Sequence, residues 1–416
     1  KRSLSLAAKE RALDVVIVEI GGTVGDIESL PFLEAIRQFR QEIGRQNGID
    51  IHLTLVPFVR AASELKTKPT QHSVGKLREI GIFPDIVLCR TEKPLNQEIR
   101  QKISLFCNVA VENVIQCLDV DDIYKVPQAL EKEGLDALVV KLLDLKCRES
   151  NMDDWRRKVV AKIEKPAHRI RIAVVGKYTS LQDAYKSIYE AIKHGGIAND
   201  AAVEIQQVHA EALMEANPNE IFNGTDGILI PGGFGDRGIE GKIKAAQYAR
   251  ENGIPYFGIC LGMQCAVIEF ARNVCGLNGA HTTEMNPKTP YPVISLLDEQ
   301  KRVTDLGGTM RLGGYPCQIK GSSQTHRAYR KERVTERHRH RYEFNNKYKV
   351  KLEQHGLRIT GCSPNGRLVE IVEYVNHPWY IACQFHPEFQ SKPDRPHPLF
   401  KDFIRAALKN KKKTVR

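Results

Sequence analysis

The segment 258–262, Gly-Ile-Cys-Leu-Gly, has the spacing of a nucleophile held on a sharp turn. It follows an apolar run typical of a strand and precedes a helical pattern, so it matches the G-x-nucleophile-x-G elbow with cysteine in the central place. The two glycines permit the turn, and the start of a helix favours the reactive thiolate. A single cysteine is more often a buried structural residue. Glycines on both sides nevertheless favour Cys260 as a nucleophile.

The segment 382–388, Ala-Cys-Gln-Phe-His-Pro-Glu, offers a base for this thiol and a group to orient the base. In an extended chain His386 and Glu388 point to the same face, because side chains alternate along a strand. Pro387 lies between them and cannot occupy a helix interior, so we expect extended backbone here. A cysteine nucleophile needs such a base. The sequence therefore predicts that Cys260, His386 and Glu388 act together in acyl transfer.

The segment 231–235, Pro-Gly-Gly-Phe-Gly, contains candidate donors for an oxyanion. It follows the strand-like residues 226–230. Acyl transfer develops negative charge on a carbonyl oxygen, and free backbone N–H groups stabilise that charge. A plain turn at the end of a strand would have the same composition. The residues of this segment alone leave both interpretations open.

In this order and at these spacings, the three motifs resemble the class I glutamine amidotransferase family over residues 171–408. Such domains hydrolyse glutamine to glutamate and ammonia through a thioester. The resemblance implies that Cys260 is the nucleophile, His386 its base and Glu388 the orienting partner. It also implies that Gly233 and the backbone of Leu261 bind the oxyanion.

Three segments of the first half carry groups suited to a nucleotide and a cation. Glu19 ends the apolar run 13–20, where a carboxylate could hold Mg²⁺ or form a salt bridge. Asp26 and Glu28 lie in a glycine-rich loop, and they could face a ligand or cap the next helix. Residues 66–71, Lys-Thr-Lys-Pro-Thr-Gln, precede a helix and form either a phosphate cradle or a solvated loop.

Together the segments 21–29 and 66–73 resemble the CTP synthase family, and residues 305–313 and 337–343 fit its amidotransferase half. The resemblance covers nearly the whole chain. It implies that ATP phosphorylates the uracil 4-oxygen of UTP and that ammonia from the glutaminase site displaces the phosphate. It further implies Mg²⁺ with ATP, no organic cofactor, feedback inhibition by CTP, activation by GTP and a homotetramer. Arg237 is a candidate for the GTP response, although it could simply pair with Asp236.

The resemblance also assigns roles residue by residue. Glu19 matches the Mg²⁺ ligand, and Val120 lies near the ATP base. Arg341 suits the α-carboxylate of glutamine because guanidinium binds carboxylate in a bidentate way, and Glu284 suits the α-ammonium group. The residues matched to the UTP and CTP site are Asp26, Ile27, Glu28, Lys66, Thr67, Lys68, Pro69, Thr70, Gln71 and Lys102. Those matched to the glutamine site are Gly233, Leu261, Gly262, Met263, Gln264, Glu284 and Arg341.

The family opens with a glycine-rich phosphate loop that carries a lysine, and we find no such loop in this sequence. We therefore expect a piece of a longer chain whose ATP-dependent half is truncated. A second enzyme interpretation is another ATP-dependent amidoligase with a fused glutaminase, such as those acting on corrin rings. A third is a filament-forming or nucleic-acid-binding relative without catalysis. The presence of Cys260, His386 and Glu388 argues against the third.

The elements that must position these groups follow an α/β rhythm. Strand-like runs at 13–20, 52–56 and 85–89 alternate with helical patterns, and a second series begins at 170–176. The chain after residue 290 is more β-like. We expect two doubly wound parallel-sheet domains: a partial, P-loop-like amidoligase at 1–146 and a class I glutamine amidotransferase at 170–410. A linker at 147–169 joins them, and 411–416 form a basic tail.

Composition narrows the class of protein further. The 416 residues carry a net charge of +12, much of it in 330–341 and 409–416. The tail is most simply a solvated, frayed end, and the charge could equally serve anionic small substrates such as nucleotides, so we expect no nucleic-acid partner. No apolar run reaches the ~18 residues of a membrane span, and the first residues do not form a signal peptide. Ten cysteines are scattered without a CxxC pair, so we expect neither disulfides nor structural zinc. The expected location is the cytoplasm, with no membrane partner.

Overall fold

The computed structural model describes residues 13–177, 182–233, 235–296 and 310–414. The chain divides into two compact units, residues 1–156 and residues 157–416. This division falls inside the stretch 147–169. No helix in the described part of the chain has both the length and the apolar character of a membrane span.

Unit 1 is built around a parallel sheet of three strands in the order β1-β4-β5. Leu53 pairs with Leu88, and Leu88 pairs with Ile115, so apolar residues line the middle of the sheet. The strands are β1 Ile51–Leu55, β2 Phe58–Val59, β3 Glu64–Leu65, β4 Ile86–Thr91 and β5 Val114–Leu118. The helices are α1 Leu30–Ile43, α2 Lys68–Glu79, α3 Gln97–Cys107, α4 Val126–Lys132, α5 Leu135–Leu142 and α6 Asp153–Trp155.

The strand predicted at residues 13–20 is wrong in this structure. The segment is neither helix nor strand, and its apolar side chains are exposed, with Ile17 at 93%. A buried parallel strand forms only where a neighbouring strand supplies hydrogen bonds and helices cover both faces. In the described part of unit 1 the parallel sheet consists of β1, β4 and β5, and none of these pairs with 13–20. An apolar run alone therefore did not specify a strand.

Unit 2 contains a mixed sheet of nine strands in the order β13-β12-β15-β16-β17-β9-β8-β6-β7. The strands from β17 to β7 are parallel, and those from β13 to β17 are antiparallel. A smaller sheet joins β10, β11 and β14. The strands are β6 His168–Gly176, β7 Ala201–His209, β8 Gly227–Ile230, β9 Tyr256–Ile259, β10 His281–Thr282, β11 Pro292–Ser295, β12 Arg311–Ile319, β13 Arg333–His340, β14 Glu343–Phe344, β15 Leu357–Cys362, β16 Val369–Tyr374 and β17 Tyr380–Cys383.

Helices cover both faces of the parallel half. Along β6, Ala173 and Val175 join one apolar cluster, and Ile172 and Val174 join the other, because side chains alternate along a strand. The first cluster includes α11 and α12, and the second includes α8 and α15. The helices of unit 2 are α7 Ala161–Glu164, α8 Lys186–Ala198, α9 Ala212–Glu215, α10 Pro218–Ile221, α11 Ile239–Glu251, α12 Leu261–Asn273, α13 Gln324–Tyr329, α14 Lys349–Gln354 and α15 Pro398–Thr414.

Candidate active site

Cys260 lies on a strained turn between β9 and α12. Its φ of 51° and ψ of −103° are unusual for a residue with a side chain, and such strain is characteristic of functional turns. Both flanking glycines are needed. A Cβ at Gly262 would lie 2.1 Å from the Ile230 carbonyl oxygen, and one at Gly258 would lie 2.7 Å from the Gly262 oxygen. The packing of the elbow on β8 therefore requires Gly262, and the close approach within the turn itself requires Gly258.

The alignment of β9 with β17 brings the second motif to the same sheet edge. Ile259 is in register with Cys383, and the Cys260 N–H donates to the Cys383 carbonyl oxygen at 2.7 Å. Gln384 follows directly, and its Nε2 lies 3.7 Å from the Cys260 Sγ. Gln384 is not among the site residues predicted from the sequence. Its signal was its place one residue beyond an apolar strand that runs beside the elbow.

His386 and Glu388 form a hydrogen-bonded pair beside the elbow. The His386 Nδ1 lies 2.7 Å from the Glu388 Oε1, and both side chains are largely buried. The expectation of extended backbone was wrong, because Pro387–Gln390 form a 3₁₀ helix with His386 as N-cap. Proline fits the first position of a helix, where its missing N–H costs nothing. The short helix still turns Glu388 back to the imidazole ring.

Electrostatics favour a protonated His386. Burial alone favours the neutral ring, but Cys260 and Glu388 outweigh it and raise the pKa of His386 to about 10. The Nε2 atom has no hydrogen-bond partner among the described residues. This arrangement suits a thiolate–imidazolium pair.

The glycine loop after β8 contacts both members of this pair. A Cβ at Gly232 would lie 2.7 Å from the His386 Cε1 and 3.4 Å from the Cys260 Cβ. A Cβ at Gly233 would lie 3.5 Å from Leu261 Cδ2. Leu261 is the first residue of α12, so its N–H has no partner within the helix. The structure thus brings the predicted oxyanion donors, Gly233 and Leu261, to one place next to Cys260.

The residues matched to glutamine binding fall into two groups. Leu261, Gly262, Met263 and Gln264 form the buried first turn of α12. Glu284 and Arg341 interact with each other: burial raises the pKa of Glu284, while the Gly235 N–H, Arg341 and Lys177 lower it. The hydrogen bond from the Gly235 N–H connects Glu284 to the glycine loop. Opposite charges side by side suit the two ends of an amino acid.

The basic run 337–341 alternates between solvent and core. On β13, Arg337 and Arg339 are exposed, whereas His338 and His340 are buried, with 2.9 Å between the His338 Nδ1 and the His340 Nε2. Burial lowers the pKa of His338 to about 2 and that of His340 to about 3. The described residues contain no group of His, Cys, Asp or Glu that could hold a metal ion. The two histidines of this run therefore belong to the interior of the fold, and the two arginines belong to its surface.

In unit 1 the residues matched to UTP are mostly exposed and lie in two places. Lys66 forms an ion pair with Glu64, and Lys66 and Lys102 both lower the pKa of that carboxyl group, so these two lysines share one surface. Thr67 precedes α2, which includes Lys68, Pro69, Thr70 and Gln71. Two members of this segment are held by the fold: Thr70 donates to the Leu55 carbonyl oxygen at 3.1 Å, and Gln71 donates to Thr67 at 3.0 Å.

The acidic loop lies apart from these contacts. Asp26 and Glu28 are exposed, and Ile27 is 87% exposed. Within the described residues no hydrogen bond or ion pair joins this loop to residues 66–71. The capping alternative is also wrong, because Ser29 is the N-cap of α1 and makes no side-chain cap bond. Val120 and Lys102 are exposed as well.

Glu19 does not occupy the position expected for it. It is exposed in the irregular segment 13–20, so it does not lie at the carboxyl end of a strand. Magnesium is commonly bound by one or two carboxylates together with substrate phosphates. A single exposed carboxylate is compatible with that mode and cannot form a cage by itself.

Two family models match the chain. The model described as CTP synthase N-terminus matches residues 1–145, and the model described as Glutamine amidotransferase class-I matches residues 180–406. The second match, the parallel sheet and the cysteine elbow place unit 2 among the class I glutamine amidotransferases. The glutaminase domain of a Trypanosoma brucei CTP synthase, solved with bound acivicin, superimposes with a TM-score of 0.54 at 41% identity. It covers 58% of this chain and 94% of that one.

Curated relatives extend the match to both units. A CTP synthase of Bacillus velezensis is 58% identical over 402 residues, which is 97% of this chain and 75% of the relative. A CTP synthase of Moorella thermoacetica is 57% identical over 409 residues, which is 98% of this chain and 76% of the relative. The chain belongs to the CTP synthase family. Its members are glutamine-hydrolysing ligases that depend on ATP and act on UTP. The family resemblance and the enzyme class predicted from the sequence are therefore confirmed.

Proposed function

We propose that unit 2 releases ammonia from glutamine at Cys260, with His386 and Glu388, for the amination of UTP by unit 1. The carrying observation is the 2.7 Å His386–Glu388 hydrogen bond next to a cysteine on a strained elbow. Such a group of nucleophile, base and orienting carboxylate is the general solution for acyl transfer. The family match covers both units, and it therefore disfavours the two alternative interpretations, another amidoligase and a non-catalytic relative.

The steps follow from the roles proposed for each group. Arg341 binds the α-carboxylate of glutamine and Glu284 the α-ammonium group. The Cys260 thiolate attacks the side-chain carboxamide carbon, and the N–H groups of Gly233 and Leu261 bind the oxyanion. His386 donates its proton to the leaving nitrogen, so ammonia departs and a thioester remains. Water, deprotonated by His386, then hydrolyses the thioester to glutamate and restores the thiol.

For unit 1 we propose that residues 66–71 and Lys102 bind the UTP phosphates, with Asp26, Ile27 and Glu28 completing the UTP and CTP site. Lys66, Lys68 and Lys102 are exposed, and Lys68 is also the first residue of α2. Positive charges near the start of a helix suit a triphosphate. Val120 is proposed near the ATP base. Glu19 is proposed as a ligand of Mg²⁺, which when bound would neutralise charge on the ATP phosphates.

The regulatory and assembly proposals rest on the family alone. They are feedback inhibition by CTP, activation by GTP, a homotetramer and a cytoplasmic location. Arg237, the candidate for the GTP response, pairs with Glu211 at 2.9 Å rather than with Asp236, and both side chains are about half exposed. An exposed pair of this kind is weak, so an incoming anion can displace Glu211.

Glutamate release by the full chain tests the glutaminase proposal. Cys260→Ala should abolish release, whereas Cys265→Ala, a change at a fully buried thiol whose pKa burial raises to about 12, should keep it. Equal activity of wild type and Cys260→Ala would refute the assignment. For unit 1, Lys66→Ala should weaken UTP binding measured by calorimetry. The control is Lys76→Ala, on the exposed side of α2, where Lys76 pairs with Glu79.

A further inference from the structure

Lys242 is a lysine whose whole side chain is buried. It lies on α11, its relative exposure is 0%, and its Nζ has no hydrogen-bond partner among the described residues. Lysine is almost never fully buried unless it is paired, because removing an amine from water is costly. A buried polar atom without a partner calls for an explanation. None of the steps above uses this group.

The position of the Nζ atom indicates what it acts on. It lies 3.5 Å from the place that a Cβ on Gly233 would take, and Leu261 Cδ2 lies 3.5 Å from that same place. Gly233 and Leu261 are the two proposed oxyanion donors. The amine is therefore held against the loop that would bind the oxyanion, on the buried face of α11 that also carries Ile239 and Ile243.

The charges around Lys242 leave its positive charge uncompensated. Burial lowers its pKa, Cys265 and Cys260 raise it, and Lys177 lowers it. The groups with the greatest influence thus include two thiols and no carboxylate. In a low-dielectric interior a charge acts on its neighbours far more strongly than it does in water.

We propose that Lys242 is a positioning residue of the oxyanion site, whose buried ammonium stabilises the negative charge formed on the carboxamide oxygen when Cys260 attacks. This inference rests on the proposed glutaminase function. Preorganised charge aimed at a developing oxyanion acts in the transition state and not in the ground state. Lys242 should therefore contribute to kcat and leave glutamine binding unchanged.

Lys242→Met in the full chain tests the inference, because methionine preserves the length and volume of the side chain. We expect kcat for glutamate release to fall by roughly ten- to a hundred-fold, with KM unchanged. The unfolding midpoint should stay equal or rise, because an unpaired buried amine is removed. The matched control is Lys244→Met on the same helix. In the wild type the Lys244 Nζ donates instead to the Leu213 carbonyl oxygen at 3.0 Å. The kcat of this control variant should not change.

Alkylation of Cys260 by iodoacetamide separates an oxyanion effect from a thiolate effect. This displacement forms no acyl oxyanion, so its rate, read by mass spectrometry of the Cys260 peptide, should fall far less in Lys242→Met than kcat for glutamate release does. An unchanged kcat, or an alkylation rate reduced as much as hydrolysis, would overturn the inference. A lower unfolding midpoint together with lower activity would also overturn it, in favour of a structural lysine.

The outcome for Cys260→Ala distinguishes this inference from the function on which it rests. Glutamate release that survives Cys260→Ala refutes the proposed function and this inference with it. Release that depends on Cys260 but is equal in Lys242→Met and wild type refutes the inference alone. Lys242→Gln, which keeps a polar group without charge, should be as slow as Lys242→Met if charge is what matters.

Discussion

The backbone N–H of Cys260 donates a 2.7 Å hydrogen bond to the carbonyl oxygen of Cys383. This bond joins the residue after β9 to the last residue of β17. The proposed nucleophile is thereby fixed to the chain segment that carries its base three residues later. Four substitutions around this site and in the surrounding fold have measurable effects.

Gly232→Ala should impair catalysis much more than stability. The new methyl carbon would lie 2.7 Å from the His386 Cε1, and the imidazole ring would have to move away from its position beside Cys260. We expect kcat for glutamate release to fall by about a hundred-fold, since small misplacement of a reacting group is costly. Gly321→Ala is the control, because a Cβ there meets nothing within 4 Å. Equal activity of the two variants would contradict the placement of His386.

Glu388→Gln should weaken the protonated state of His386. Glu388 helps to raise the pKa of His386 to about 10, so its loss should lower that pKa and reduce kcat by roughly a hundred-fold or more. The pKa of the folded state lies above the unfolded value of about 6.5. Stability from the imidazolium is therefore complete below about pH 6.5 and is lost as pH rises towards about 10.

Urea unfolding of wild type and Glu388→Gln across this range measures that effect. The stability difference between the two proteins should be largest near pH 6.5 and should shrink as the pH approaches 10. A difference that stays constant with pH would show that Glu388 does not act through the charge of His386.

Glu343→Gln should make the protein relatively more stable in alkali. Burial raises the pKa of Glu343 to about 8 in spite of the Arg311 charge 3.3 Å away. The folded state therefore holds more protons than the unfolded state between about pH 4.5 and 8, and stability falls as pH rises through that window. Glutamine cannot ionise, so in thermal unfolding the variant should gain on wild type as pH rises from about 4.5 to about 8, with no further gain above that. The exposed Glu332→Gln serves as control and should show no such trend.

Arg341→Lys should raise the KM for glutamine with a smaller effect on kcat. A lysine keeps the charge but loses the planar pair of donors that fits a carboxylate. We expect KM to rise roughly ten-fold, as for the loss of one good charged hydrogen bond. Arg339→Lys on the exposed side of β13 is the matched control. If both variants bind glutamine equally well, Arg341 does not contact the α-carboxylate.

The elbow could be predicted from sequence because its requirements are local. A sharp turn over a neighbouring strand demands glycines at fixed spacing, and the 2.1 Å clash at Gly262 shows why. Residues 13–20 failed for the opposite reason, since an apolar run becomes a strand only beside a partner. The sequence analysis also did not identify β5 or β7. Polar residues interrupt the apolar run of both strands, Gln116 in β5 and Glu204, Gln206 and Gln207 in β7.

The role proposed for Lys242 and the position of Gln384 could not be predicted from the sequence for a third reason. Neither stands in a distinctive motif of its own, and Lys242 occupies an ordinary helical pattern. Each draws attention only through a neighbour that is distant in sequence. Lys242 lies next to the Gly232–Gly233 loop, and Gln384 lies next to Cys260 on the elbow. Such proximity depends on the register of strands that are distant in sequence. A single sequence gives the residue types but not that register.

The place of β17 in the nine-stranded sheet has a consequence for biosynthesis. β17 lies between β16 and β9, so among the described strands it alone joins the antiparallel half of the sheet to the parallel half. It is also the last strand of the described chain to leave the ribosome. The same strand leads directly to Gln384 and His386. Pairing of the two halves of the sheet and placement of these two residues beside Cys260 therefore depend on one strand.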